Sequence, residues 1–344
     1  MQFGLMFFAS SQDSLSGNIY ELIKECAIFG DQHGFSSLWV PERHFTEFGG
    51  IYNNPAILHA AIAMLTKNIR LHSGSVVMPI NDPVRVAEQW SMVDNLSNGR
   101  AGLSVAAGWH PNDFIFFPEH YHSKHDVMYE GIDVLQTLWQ GGSIKRKNGV
   151  GDNTDVKIYP TPVNQNLPLY LTVSSSPLGF KKAGAMGLNI LTSVLDQTLE
   201  ELAEKVVMYR AARAQNGYDP SSGVVTLMLH SYIGEDELST KEEARKPYCT
   251  FIKNNKDLMK GLANNRGTGF DVDELSDTDM DEFVNFLYDR FSSTKGLIGS
   301  VESCRPLLKQ VEESGVNEIA CLLDFGPTRE QILNNLLFLK KLMS

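Results

Sequence analysis

The 344-residue chain is predicted to fold as an α/β protein, a (β/α)8 TIM barrel, on three observations. Short apolar runs rich in β-branched and aromatic residues alternate with longer stretches of helical period, and eight such runs are counted. Several are apolar at consecutive positions, as in Ile319-Ala320-Cys321-Leu322-Leu323. Eight strands with intervening helices exceed the five or six of an open sheet. Unbroken apolar runs suit parallel strands covered on both faces.

In chain order the expected strands are residues 2–9, 36–40, 69–77, 101–107, 169–173, 189–192, 224–232 and 318–324. Helical period marks 15–32, 55–66, 83–96, 127–140, 199–216 and a closing helix at 329–342. Asp94 to Arg100 reads as a helix end, with Gly99 as left-handed cap and Arg100 near enough to pair with Asp94. Two insertions interrupt the alternation. Residues 141–159, Gly- and Lys-rich with β-like ends, predict a hairpin before strand five. Residues 245–296, polar and charged, lie between strands seven and eight and predict a lid or a solvated loop. A barrel of this length is expected to be one domain, 1–344.

Composition bounds the function. The chain is 42% hydrophobic and 21% charged, ordinary for a globular protein, and its net charge of −11 is spread along its length. Such a surface repels nucleic acid and anionic membrane. The four cysteines, Cys26, Cys249, Cys304 and Cys321, form no CxxC pair, so neither a disulfide scaffold nor a zinc site is expected and a cytoplasmic location fits. The first residues show no basic leader or cleavage site, and no apolar run is long enough to span a membrane.

In such a barrel chemistry collects where strands end. Ser174, Ser175 and Ser176 precede Pro177 and a helical stretch, a turn whose free N–H groups suit a phosphate or, more plainly, an N-cap. Gly74, Ser75, Ser104, Ala106, Ala107 and Gly108 are small, leaving room for a flat ring or merely packing the barrel. Glu42, Arg43 and His44 follow strand two, where they orient or protonate a substrate or form a salt-bridged loop. His120, His122 and His125 are close in sequence, but their spacing is not that of a metal site, and none is expected. The acids Asp271, Asp273, Glu274, Asp277, Asp279, Asp281 and Glu282 lack the glycine of a calcium loop and predict a solvated segment capping a helix from Asp281.

Taken together, the motifs carry a family resemblance. Pro41-Glu42-Arg43-His44-Phe45-Thr46-Glu47-Phe48-Gly49 resembles the strand-two loop of bacterial luciferase subunits. Pro83-Val84-Arg85-Val86-Ala87-Glu88 is similar to the third helix of that superfamily. Gly108-Trp109-His110-Pro111-Asn112-Asp113-Phe114 and Glu318 through Gly326 resemble the luciferase-like monooxygenases associated with nonribosomal peptide and polyketide synthases. The resemblance implies a barrel, commonly dimeric, that binds FMN at its C-terminal mouth, with a non-proline cis peptide at Gly74–Ser75. It places Ser104, Ala106, Gly108 and Trp109 near the flavin ring or its ribityl chain, and Ser174, Ser175, Ser176, Leu178 and Gly179 near its phosphate.

Two positions depart from the luciferase α chain: Arg43 replaces the first of two histidines, and Ala107 replaces a phosphate-contacting arginine. The implied activity is therefore hydroxylation of a small or carrier-tethered acyl or aminoacyl group, with reduced FMN and dioxygen, in natural-product biosynthesis. Arg43, His44 and Asp113 are the expected catalytic residues, and Phe7, Phe8, Trp39 and Trp109 the walls that keep water out. No G-x-G-x-x-G follows a strand, so a separate flavin reductase is the expected partner, besides a synthase carrier protein. The same superfamily also contains F420-dependent hydride-transfer enzymes and non-catalytic flavin-binding proteins, which stand as alternatives.

Overall fold

The computed structural model describes residues 1–8, 18–47, 49–254 and 275–344, and its strands close a parallel barrel. The strands are β1 (Gln2–Met6), β2 (Ser37–Val40), β3 (Arg70–Val77), β4 (Ala101–Ala106), β7 (Leu169–Thr172), β8 (Asn189–Ser193), β9 (Val225–Gly234) and β11 (Glu318–Leu322). Each pairs in parallel with the next, and β11 returns to β1 with Leu322 opposite Met6. The expected hairpin is present as β5 (Ile144–Lys147) antiparallel to β6 (Asn153–Val156).

Local sequence sets where the surrounding helices begin and end. In α1 (Ile19–His33) the Asn18 side chain accepts from the Tyr20 N–H, and Gly34, at φ 80°, ends the helix with a bond to the Gly30 carbonyl. Leu22, Ile23, Cys26 and Ala27 make its buried face, each large side chain worth roughly 2 kcal/mol of transfer free energy. Next come α2 (Pro55–Ala63), α3 (Pro83–Ser97), α4 (Lys124–Trp139), α5 (Pro177–Ala185) and α6 (Leu199–Gln215). Proline occupies the first turn of α2, α3 and α5, where its missing N–H costs nothing.

Residues 245–296 lie within an excursion that is mostly helical where it is described. It comprises α7 (Glu237–Asn254), α8 (Asp277–Thr294), the extra strand β10 (Leu297–Ser300) and α9 (Val301–Glu313), before β11 and the closing α10 (Arg329–Met343). Tyr248, Ile252, Met280, Val284, Tyr288 and Phe291 join α7 to α8 in a core distinct from that between barrel and helices. Strand β10 pairs with the last four residues of β9 and was not expected, because Leu297-Ile298-Gly299-Ser300 is too short to show a period. Helix α8 starts four residues before the expected Asp281, capped by Ser276, whose hydroxyl accepts from the Asp279 N–H. Asp271, Asp273 and Glu274 lie outside the described residues, as do Ala9, Phe48 and the start of the first expected helix.

The pairing of Arg100 with Asp94 is corrected. The Arg100 guanidinium donates to the Thr66 and Ile69 carbonyls past the end of α2, whereas Asp94 Oδ2 accepts from the Asn164 N–H. Asn98, at φ 58°, shares the left-handed turn with Gly99. Among the described residues no helix is long and apolar enough to cross a membrane.

The barrel interior is layered. At its base the buried Glu318 carboxylate accepts from Ser37 Oγ at 2.6 Å and Thr226 Oγ1 at 2.8 Å, while Trp39 Nε1 donates to Ser37 Oγ. Above it Met6, Trp39, Tyr170, Leu191 and Leu322 fill the centre. Strand alternation then turns the next inward residues toward the C-terminal mouth.

Candidate active site

The strand-two loop is anchored by its acid. Glu42 Oε2 accepts from the Val77 N–H at 2.7 Å and from Asn81 Nδ2 at 3.0 Å, joining the ends of β2 and β3. His44 Nε2 stands 3.3 Å from Glu42 Oε1. An ionised carboxylate only accepts, so Nε2 is the donor to Glu42, which leaves Nδ1 as the ring nitrogen facing away from that contact. The His44 backbone N–H donates to Asp113 Oδ1 at 3.3 Å, and the ring meets Phe116 edge-on.

Arg43 is buried, with its guanidinium carbon 4.7 Å from the centre of the Trp109 ring. Burial lowers its pKa from the ordinary arginine value, and the charge of Asp113 opposes that shift. The fold thus brings Arg43, His44, Trp109 and Asp113 into one cluster.

The floor is a chain of hydroxyls. Thr172 Oγ1, on β7, bonds to Ser104 Oγ at 2.6 Å and to Ser75 Oγ, linking the ends of three strands. Two bonds among three hydroxyls use two protons and leave a third for an acceptor above them. The Gly74–Ser75 peptide is cis.

The small residues beside this floor are packed against protein. A Cβ on Gly74 would lie 3.3 Å from Met6 and Trp39, and one on Gly179 only 2.7 Å from Val173. At Gly108 it would lie 2.8 Å from Val77, so protein packs closely against all three glycines. Ala106 ends β4 half-buried. Phe7 is turned into the core between barrel and helices, away from the mouth, whereas Phe8 packs with the interior group.

At the serine turn Ser176 is the N-cap of α5 and accepts from the Gly179 N–H. Leu178 is exposed in the first turn. Ser174 and Ser175 donate their hydroxyl protons to Asp196, at 2.8 and 2.6 Å. A carboxylate therefore sits where these serines were expected to meet a phosphate. Asp196 follows β8, and nothing in its sequence surroundings marks it. Thr172 was equally unmarked, its inward direction being legible only once β7 is placed.

His230, on β9, was also missed. Its side chain is 3% exposed, and Nε2 has no hydrogen-bond partner among the described residues. An unsatisfied buried nitrogen costs about 1–3 kcal/mol. Of the three histidines close in sequence, His120 shares a hydrogen through Nδ1 with the Pro79 carbonyl at 2.7 Å. Among the described residues no group of three His, Cys, Asp or Glu side chains is placed to hold a metal.

Comparison with known proteins finds that residues 1–318 match the family model described as luciferase-like monooxygenase. The chain belongs to the luciferase-like monooxygenase family. It is 24% identical to an alkanal monooxygenase alpha chain of Photorhabdus luminescens, over 98% of this chain and 94% of that one. It is also 24% identical to the oxygenase component of a flavin-dependent trigonelline monooxygenase of Acinetobacter baylyi, over 90% and 85%. In fold it is similar to the oxygenating constituent of 3,6-diketocamphane monooxygenase of Pseudomonas putida, solved with FMN. That likeness has a TM-score of 0.76 at 17% identity and covers 99% of this chain and 97% of that one. Membership of the luciferase-like monooxygenases makes the chain a flavin-monooxygenase-type enzyme.

Proposed function

We propose that this luciferase-like monooxygenase is the oxygenase half of a two-component system. It would take reduced FMN from a separate reductase and hydroxylate a small or carrier-tethered acyl or aminoacyl group. The observation that carries the reading is the Ser75–Thr172–Ser104 chain at the barrel mouth, with one hydroxyl proton left to offer a flavin carbonyl or ring nitrogen. Bound there, reduced FMN supplies the electrons that activate dioxygen. The relatives named as an oxygenase component and an oxygenating constituent support a separate reductase. The resemblance of Gly108 to Phe114 to synthase-associated members supports the acyl substrate.

The protein's share of the work is positioning and proton control. Ser174, Ser175, Ser176, Leu178 and Gly179 would hold the phosphate at the α5 N-terminus, where the dipole favours an anion. Gly74, Ala106, Gly108 and Trp109 would border the ring or the ribityl chain. Arg43, a cation shielded from water by Trp109, would hold an anionic group of flavin or substrate. His44 would take or return a proton at Nδ1, its ring oriented by Glu42, while Asp113 fixes the backbone of that loop. A homodimer belongs to the same proposal, supported by the exposed Ile57, Met64, Met92 and Leu96 on or beside α2 and α3.

Anaerobic titration with FMN and with F420 tests the cofactor, and mass spectrometry of carrier-bound acyl substrates under labelled dioxygen tests the reaction. F420 binding without FMN binding would sink the flavin reading. The phosphate turn has its own two tests. Ser175→Asp adds a charge beside the phosphate and is expected to weaken FMN at least tenfold. Asp196→Ala removes a competing anion and frees two donors. It is expected to tighten FMN about tenfold, or 1.4 kcal/mol. Unchanged affinity in both variants would place the phosphate elsewhere.

A further inference from the structure

The loop that follows β8, Val194-Leu195-Asp196-Gln197, grips the serine turn with two neighbouring side chains. The Asp196 carboxylate accepts from Ser174 Oγ at 2.8 Å and from Ser175 Oγ at 2.6 Å. Gln197 is fully buried, and its Nε2 donates to the Ser174 carbonyl at 2.7 Å and the Ser193 carbonyl at 2.6 Å, tying the turn to the end of β8. The buried amide oxygen is satisfied too, since Lys205 of α6 donates to Gln197 Oε1 at 2.9 Å.

The backbone of this loop is held from far along the chain. Lys295, which closes the C-terminal end of α8, donates through Nζ to the Val194 carbonyl at 2.6 Å and the Gln197 carbonyl at 2.9 Å. Those carbonyls bracket Asp196, so one half-buried lysine fixes the backbone from which the carboxylate projects. Hydrogen bonds from an ammonium are roughly twice as strong as those between neutral groups. The helix dipole also favours a cation at the end of α8. Lys205 belongs to the same βα unit as the loop, whereas Lys295 brings the excursion between β9 and β11 to bear on the serine turn.

A flavin phosphate and the Asp196 carboxylate cannot share this seat, because both are anions and each serine hydroxyl has one proton to give. Binding there requires Asp196 to withdraw, and whatever pins its backbone opposes the withdrawal. We propose that Asp196 is a latch on the phosphate turn and that Lys295 is the positioning residue that keeps it shut. The inference rests on the reading of the serine turn as the seat of the phosphate, and adds how the affinity of that seat is set. Riboflavin has the same ring and ribityl chain without the phosphate, and binds without opening the latch. The coupling is reciprocal: a phosphate that displaces Asp196 strains the Lys295 contacts and loosens the end of α8.

The test is titration of the full chain with FMN and with riboflavin at about 0.15 M salt, where a Debye length of about 8 Å screens the charge of the lysine itself. Lys295→Met keeps the stem and removes the donor. It is expected to tighten FMN at least threefold and to leave riboflavin unchanged. In the Asp196→Ala background the same substitution should not tighten FMN, because the latch is already gone. Amide exchange at residues 291–296 should rise when FMN binds and not when riboflavin binds. A Lys295→Met that fails to tighten FMN, that shifts riboflavin equally, or whose effect survives in Asp196→Ala overturns the proposal. If that variant does not fold, equal exchange at residues 291–296 with FMN and with riboflavin overturns it. Should Asp196→Ala and Ser175→Asp both leave FMN affinity unaltered, the phosphate turn falls and the latch with it. Should Asp196→Ala tighten FMN while Lys295→Met does not, the turn stands and the role of Lys295 alone falls.

Discussion

Acidification from pH 7 to pH 4.5 is expected to remove on the order of 5 kcal/mol of folding free energy, comparable to the whole stability of an ordinary domain. The cause is histidine burial. His59 is enclosed, and burial pushes its pKa down to about 4. His230 is pushed down to about 3, and His72, wedged between Trp39 and Tyr170, also falls well below its ordinary value through burial. In the unfolded chain each titrates near 6.5.

Above pH 6.5 neither state binds these protons, and stability is whole. Below it the unfolded chain takes up protons that the native chain refuses, so stability falls with pH until the folded values are reached. His59 and His230 alone give roughly 2.5 kcal/mol each by pH 4.5, and His72 adds to the slope. Urea unfolding at half-unit pH intervals measures it directly. His72→Phe should flatten the slope by about one proton, whatever it does to stability at pH 7. A stability unchanged between pH 7 and 4.5 would show that these rings protonate in place.

None of these histidines announces itself in the sequence. His72 and His230 lie inside runs whose apolar neighbours predict strands, and both runs are strands. Their inward direction depends on register and closure, which are set by pairing between distant segments. The barrel was legible because each βα unit repeats a local pattern, and the 141–159 hairpin because Gly and Lys punctuate it. Residues 245–296 predict a lid or a solvated loop, with a helix only from Asp281, because their polar face dominates. The full helical pair shows only when Tyr248, Val284 and Tyr288 are seen packed together across an excursion that spans β9 to β11.

The site divides the same way. Arg43, His44, Trp109 and Asp113 stand in two loops with recognisable motifs, and the fold brings the loops together. Asp196 and Thr172 each hold two side chains from other loops and strands, a relation that composition does not encode.

Gly108→Ala is expected to cost roughly 3 kcal/mol and to weaken FMN more than tenfold. Gly108 sits at φ 80°, where an L side chain costs about 1–2 kcal/mol. The added methyl would also meet Val77 Cγ1 at 2.8 Å and Phe114 Cε2 at 3.0 Å, and overpacking of that kind costs about 1–3 kcal/mol more. Val77 carries the N–H that holds Glu42, and Phe114 neighbours Asp113 in the same short helical turn. The strain therefore runs to both supports of the Arg43 and His44 loop and displaces Trp109 from the guanidinium it covers.

Gly99→Ala is the control. Gly99 has a similar φ of 84°, but a Cβ there meets Val163 and Asn164 at an ordinary 3.5 Å. It should lose only the backbone part, about 1–2 kcal/mol, and leave FMN affinity unchanged. Thermal unfolding and FMN titration of the two variants separate conformational cost from loss of the site. If Gly108→Ala matched Gly99→Ala in both measurements, the contacts of Val77 and Phe114 would not be what holds this loop. If it lost stability yet bound FMN normally, Trp109 and its loop would have no part in the cofactor site.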